Sequence, residues 1–129
     1  MLKSSKIIGY VLIIVLITAG LTSPSFSFGN HFGIAKSTPE ENAVVQSVSI
    51  VEIWFTQIPQ ENSMSIRLVD SNGSLISDAI FDNKSEDPRV FTATLDRNLN
   101  ASEYQIVWRG IGQDGHVVRG GYSFTVSAE

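Results

Sequence analysis

Cysteine is absent from this 129-residue chain, and histidine occurs only twice. An exported chain without thiols has no disulfide framework, so apolar packing alone must hold it together. The same absence excludes a blue-copper electron-transfer site, which needs a thiolate ligand. Basic residues are few: nine Lys and Arg against 13 Asp and Glu leave a net charge of −4. No basic stripe is available to neutralise phosphates, so nucleic acid is excluded as a partner. The one long apolar run, residues 7–21, is shorter than the ~20 residues a membrane-spanning helix needs. Nowhere does a convincing 3.6-residue periodicity appear.

That apolar run and its flanks have the layout of an export signal. Lys3 and Lys6 supply a short positive start, residues 7–21 the apolar stretch, and residues 23–27 (SPSFS) a small-residue exit. Residues 1–29 therefore read as a signal peptide, with an uncleaved N-terminal anchor as the alternative, and residues 30–129 as the domain. Small residues at the cleavage positions fit a cut after Ser27 or after Gly29. A cut directly before His31 fits this rule poorly. Roughly 100 residues remain, enough for one domain with a modest core.

The body of the chain alternates with a period of two and is rich in β-branched residues. Strands are expected at residues 44–55, 65–70, 75–81, 90–95, 103–110 and 117–126, with a short edge strand at 33–36. In the first of these, Ile50, Glu52 and Trp54 point one way, and Val51, Ile53 and Phe55 the other. Ser71-Asn72-Gly73-Ser74 is a turn signal. Seven short strands separated by turns predict an all-β, immunoglobulin-like antiparallel sandwich of Greek-key type, preceded by the signal or anchor helix. Trp54, Phe55, Tyr104, Trp108, Tyr122 and Phe124 read as its core and flanks. Three Asn-x-Ser triplets begin at Asn72, Asn83 and Asn100. They are read as turn markers that an exported surface would also allow to be glycosylated.

Such a chain has few strong donors for a transition metal, and three stand out. His31 lies at the start of the mature chain; Asp114 and His116 flank Gly115 before the last strand. In an extended segment, residues i and i+2 face the same side, so Asp114 and His116 can converge on one ion. Gly115 lets the backbone bend close to it. The plain alternative is a turn leading into the last strand. Arg109 and Arg119 flank the segment as solvated charges or as a salt-bridge partner of Asp114, and Met64 reads as a packed side chain rather than a ligand.

Residues 31–39 (HFGIAKSTP) resemble the mature start of the CopC/PcoC copper-resistance proteins, a His followed eight residues later by Pro in a Ser/Thr-Pro context. Residues 39–43 (PEENA) and 53–57 (IWFTQ) continue the likeness without a gap. Tyr104-Gln-Ile-Val-Trp108-Arg109, Asp114-Gly115-His116 and Gly121-Tyr-Ser-Phe-Thr-Val126 match the family's closing signature in order and spacing. The likeness covers essentially all of residues 31–126.

This resemblance implies an exported β-sandwich, periplasmic or extracellular at the cell surface, that binds one Cu(II) per domain and carries or sequesters copper in homeostasis or resistance. It implies His31 as the N-terminal ligand, Asp114 as the carboxylate and His116 as the second imidazole. Cu(II) favours such tetragonal nitrogen and oxygen sets. Asp114 is either a direct ligand or an acceptor that orients an imidazole. The implied partners are copper and a membrane copper-transport protein; the membrane itself is met only through an uncleaved N-terminus. Two departures stand out. Gln57 replaces a family Glu near the copper, and the methionine-rich Cu(I) loop is absent, since Met64 is the only internal methionine. The competing readings are an immunoglobulin-like adhesion or structural module without metal, and a copper-dependent monooxygenase. The latter class usually needs a broad substrate face that ~100 residues hardly provide.

Overall fold

The computed structural model describes residues 31–128, so the expected signal or anchor helix and the cleavage sites lie outside the described residues. Seven strands form: β1 (Ile34–Thr38), β2 (Val44–Val45), β3 (Ile50–Phe55), β4 (Ser65–Asp70), β5 (Val90–Thr94), β6 (Ser102–Ile111) and β7 (Val117–Val126). They make two sheets, β1-β3-β5 and β2-β7-β6-β4, facing each other as a sandwich. Only β6 and β7 are joined as a hairpin; every other connection crosses from one sheet to the other.

Alternation builds the core. On β3, Val51, Ile53 and Phe55 are almost wholly buried, while Ile50 stays half exposed and Trp54 lies outside beneath the Lys36 ammonium, 4.2 Å from its ring centre. On β6 and β7, Tyr104, Ile106, Trp108, Tyr122, Phe124 and Val126 face inward from paired rungs. Their burial removes apolar surface from water on both sheets at once, which is the main stabilising term in a domain without disulfides. The Tyr104 hydroxyl donates to the Asn100 carbonyl at 2.8 Å. Such a tyrosine corner tied to backbone just upstream accompanies Greek-key sandwiches.

Three local expectations need correction. Residues 75–81 form no strand; a single bridge, Val69 to Leu75, is all that remains of it. Its buried side chains are Ile76 and Ala79, three apart, with Leu75 and Ile80 exposed, so the segment turns over the core instead of running along a sheet. The Ala79 amide donates back to the Ile76 carbonyl at 3.1 Å and closes that turn. Residues 44–55 are not one strand. The chain leaves β2 through exposed Gln46 and Ser47, buries Val48 and enters the opposite sheet as β3. The brief β2–β7 pairing is parallel, the one exception among antiparallel pairs. The edge strand expected at 33–36 runs from Ile34 to Thr38.

Candidate metal centre

The β6–β7 hairpin closes with Ile111 opposite Val117, and residues 112–116 form its loop. Two backbone bonds shape it: Gly112 N–H donates to the His116 carbonyl at 3.2 Å and Gly115 N–H to the Gly112 carbonyl at 3.0 Å. Gly115 takes φ +82°, a conformation in which a Cβ would be strained.

Within this turn Asp114 grips His116 twice. One carboxylate oxygen, Oδ1, accepts the His116 backbone N–H at 3.0 Å, and Oδ2 lies 2.9 Å from His116 Nδ1. The first contact is an Asx-type bond to the residue two positions on. Asp114 and His116 do converge, but through a turn and not through the extended segment that the i, i+2 spacing suggests. Both side chains are open to solvent, 68% and 82% exposed. The hydrogen bond that the ring donates to the Asp114 carboxylate, reinforced by its charge, raises the His116 pKa above 6.5. The same His116 ring and its backbone N–H lower the Asp114 carboxyl below 3.8. With Nδ1 held, Nε2 is the ring nitrogen left to meet an ion. A carboxylate that fixes the far nitrogen also raises the basicity of such a ligand.

His31 reaches the same end of the sandwich by a different route. Its carbonyl accepts the Thr56 hydroxyl at 2.7 Å, that hydroxyl accepts Gly33 N–H at 3.0 Å, and Thr56 N–H donates to the Gly33 carbonyl at 2.8 Å. The segment that leads into β1 is thereby tied to the end of β3. Next to His31, Phe32 is buried at 6% exposure. Its ring stacks on Phe55 at 5.3 Å and meets Trp108 edge-on at 5.7 Å. Phe32 and Asp114 border the same glycine: a Cβ placed on Gly112 would stand 3.2 Å from Phe32 Cβ and 3.3 Å from Asp114 Oδ1.

The structure thus joins Asp114 to His116 and anchors His31 beside the loop that carries them. Among the described residues no three His, Asp or Glu side chains form a closed metal-ligating group. Neither Arg109 nor Arg119 pairs with Asp114; its ion-pair partner is His116. Met64 is half-buried against the core and crowds Gly110, as a packed side chain does. Sequence patterning pointed to neither Thr56 nor Phe32 as a support of the site. A lone Thr after a strand and a lone Phe before one carry no periodicity that would single them out.

Comparison with known proteins follows the same outline. The CopC domain family model matches residues 34–127. The chain is 31% identical over 114 residues to the copper transport protein CutJ of Bacillus subtilis, an alignment that takes in 88% of this chain and 21% of that protein. It is 27% identical over 118 residues to copper resistance protein C of Xanthomonas campestris pv. juglandis, with 88% and 91% of the two chains covered. Among solved structures, CopC from Methylosinus trichosporium OB3b superposes with a TM-score of 0.63 at 26% identity, over 75% of this chain and 94% of that one. PcoC, a methionine-rich copper resistance protein of Escherichia coli, gives 0.62 at 21% identity, over 75% and 99%, a likeness of fold.

Proposed function

The chain belongs to the CopC family, and from that premise we propose that it is an exported Cu(II)-binding protein, holding one ion per domain as a carrier or store of copper outside the cytoplasm. Its family is one of copper transport and resistance proteins. The observation that carries the finer reading is the Asp114–His116 pair, with the ring fixed through Nδ1 and open to solvent, at the end of the sandwich where Phe32 is packed.

His116 supplies one imidazole and His31 the other, and a terminal amine at or next to His31 adds a nitrogen if export frees it. Asp114 orients His116 and lends it charge. A donor set of imidazoles, amine and carboxylate suits Cu(II), and with no cysteine and one packed internal methionine it offers little to Cu(I). The same carboxylate that holds the ring also holds its proton, so protons compete with the metal and copper is released as acid protonates the imidazoles.

No reaction is needed for this role, and the reading is of a non-enzymatic binding protein. The partner is a membrane copper-transport protein. In CutJ the matching region is about a fifth of a longer chain, named a copper transport protein. Periplasm or cell surface is the compartment, reached through the N-terminal signal. A metal-free adhesion module of the same fold would have no use for a carboxylate-oriented, solvent-facing imidazole.

Native mass spectrometry of the exported protein with graded Cu(II) tests this. One retained copper is the expected result. Non-saturable uptake, with the same adducts after His116→Ala, would contradict it.

A further inference from the structure

The cations of this domain divide sharply. Lys84 pairs with Asp82 at 3.1 Å, Arg89 with Asp87 at 2.8 Å and Arg97 with Asp78 at 3.2 Å, while Lys36 lies over the Trp54 ring. The other three, Arg67, Arg109 and Arg119, have no ion-pair partner among the described residues. All three are exposed, and they stand on adjacent strands β4, β6 and β7 of the four-stranded sheet. Arg109 is directly opposite Arg119, and Ser65 is opposite Arg109 on the other side.

Like charges placed directly across a sheet destabilise it, and a chain with 13 acidic residues has the means to neutralise them. Instead the three arginines wall a depression of about 380 Å³ that Ser65, Val107 and Gly120 also line, and no carboxylate reaches it. Guanidinium is the side chain whose planar fork binds an oxyanion by two parallel hydrogen bonds. Three such forks around one hollow match a group with three peripheral oxygens and close to two negative charges.

We propose that this face of the sheet, walled by Arg67, Arg109 and Arg119, is a binding site for a phosphate group, separate from the Asp114–His116 loop. The site is a discrete one. An anionic bilayer acts over a wide area, attracts each cationic residue by only about 1 kcal/mol, and repels the rest of a protein whose net charge is −4. A hollow lined by three forks acts at contact distance, where the distant carboxylates are screened.

The test is a titration of the metal-free exported protein with inorganic phosphate, followed by two-dimensional NMR, with chloride at matched ionic strength as the control. Saturable shifts confined to the three arginine side chains and the backbone at Val107 and Gly120 are expected. Arg109→Gln or Arg119→Gln should weaken phosphate binding about tenfold each, Arg119→Lys by less, and none of the three should alter Cu(II) stoichiometry. Vesicles of phosphatidylglycerol distinguish a lipid headgroup from the free ion: capture competed away by phosphate places the headgroup in the same hollow. Capture that phosphate leaves untouched would overturn the proposal in favour of a diffuse membrane surface. Shifts that chloride reproduces, or capture by a glutamate-rich peptide without any phosphate response, would overturn it as well.

Discussion

Phe32→Ala probes the link between the core and the segment that leads into β1. Phe32 is 6% exposed and contacts Phe55 and Trp108 at 5.3 and 5.7 Å. Truncating a buried Phe costs about 3–5 kcal/mol, from lost transfer energy and the cavity left behind. Two aromatic contacts add to the loss. Because the residue lies not within a strand but in the irregular segment before β1, where neighbours can relax inward, the expected cost is at the lower end, about 3 kcal/mol. In a domain of this size each kcal/mol moves the melting temperature by about 4–8 °C, so a fall of roughly 12–24 °C should appear by circular dichroism. The same change frees the backbone that presents His31, so Cu(II) affinity should fall even at temperatures where the variant is fully folded. Phe32→Leu should do both to a lesser degree. Melting within about 5 °C of the unaltered protein would remove Phe32 from the core. A large fall in melting temperature with undiminished Cu(II) affinity would show that His31 does not depend on this packing.

Asp114→Asn should lower the His116 titration midpoint in the metal-free protein, because the charge that reinforces the hydrogen bond and helps raise it above 6.5 is removed. His116 has the higher pKa folded than unfolded, so its pairing stabilises the fold below the unfolded value and is lost as pH rises through the folded one. The Asp114 side works oppositely: its lowered pKa gives stability above 3.8 that is lost as pH falls through the folded value. An NMR midpoint for His116 unmoved by the substitution would refute the contact. Tyr122→Phe should leave stability within about 1 kcal/mol, since among the described residues the buried hydroxyl makes no close hydrogen bond and has only Ser37 as a polar neighbour. A clearly larger loss in urea unfolding would reveal one. Gly121→Ala should cost about 1–3 kcal/mol, because its Cβ would stand 2.6 Å from the Ile106 carbonyl oxygen, a backbone atom that cannot swing aside. Unchanged melting there would contradict the β6–β7 register.

The sandwich was legible wherever alternation ran long enough to mark a buried face. Val51, Ile53 and Phe55 on β3, and the inward rungs of β6 and β7, are where period two places them. Segments that pack without a sheet were not legible. Ile76 and Ala79 cap the core from a turn, and the break between β2 and β3 carries neither Gly nor Pro to announce it. At the candidate site the pairing of Asp114 with His116 could be anticipated from their spacing, yet the cause is an Asx bond inside a tight loop. His31 is held through its carbonyl by Thr56, 25 residues away, a contact between single polar groups that leaves no periodic trace. The three unpaired arginines were visible as charges, but only the strand register shows that they share one face.

The most direct test of the copper site is Cu(II) titration followed by EPR on the exported protein with its N-terminus sequenced, beside His116→Ala and a form with Gly-Ser added before His31. One equivalent of copper with nitrogen couplings from two imidazoles is expected, with tight binding lost in His116→Ala while the fold persists. The extended form should bind far more weakly, with altered EPR parameters, if the terminal amine is a donor. Unchanged affinity in the extended form would remove the amine and leave the side chains of His31, Asp114 and His116. An unaltered spectrum in His116→Ala would contradict the site itself.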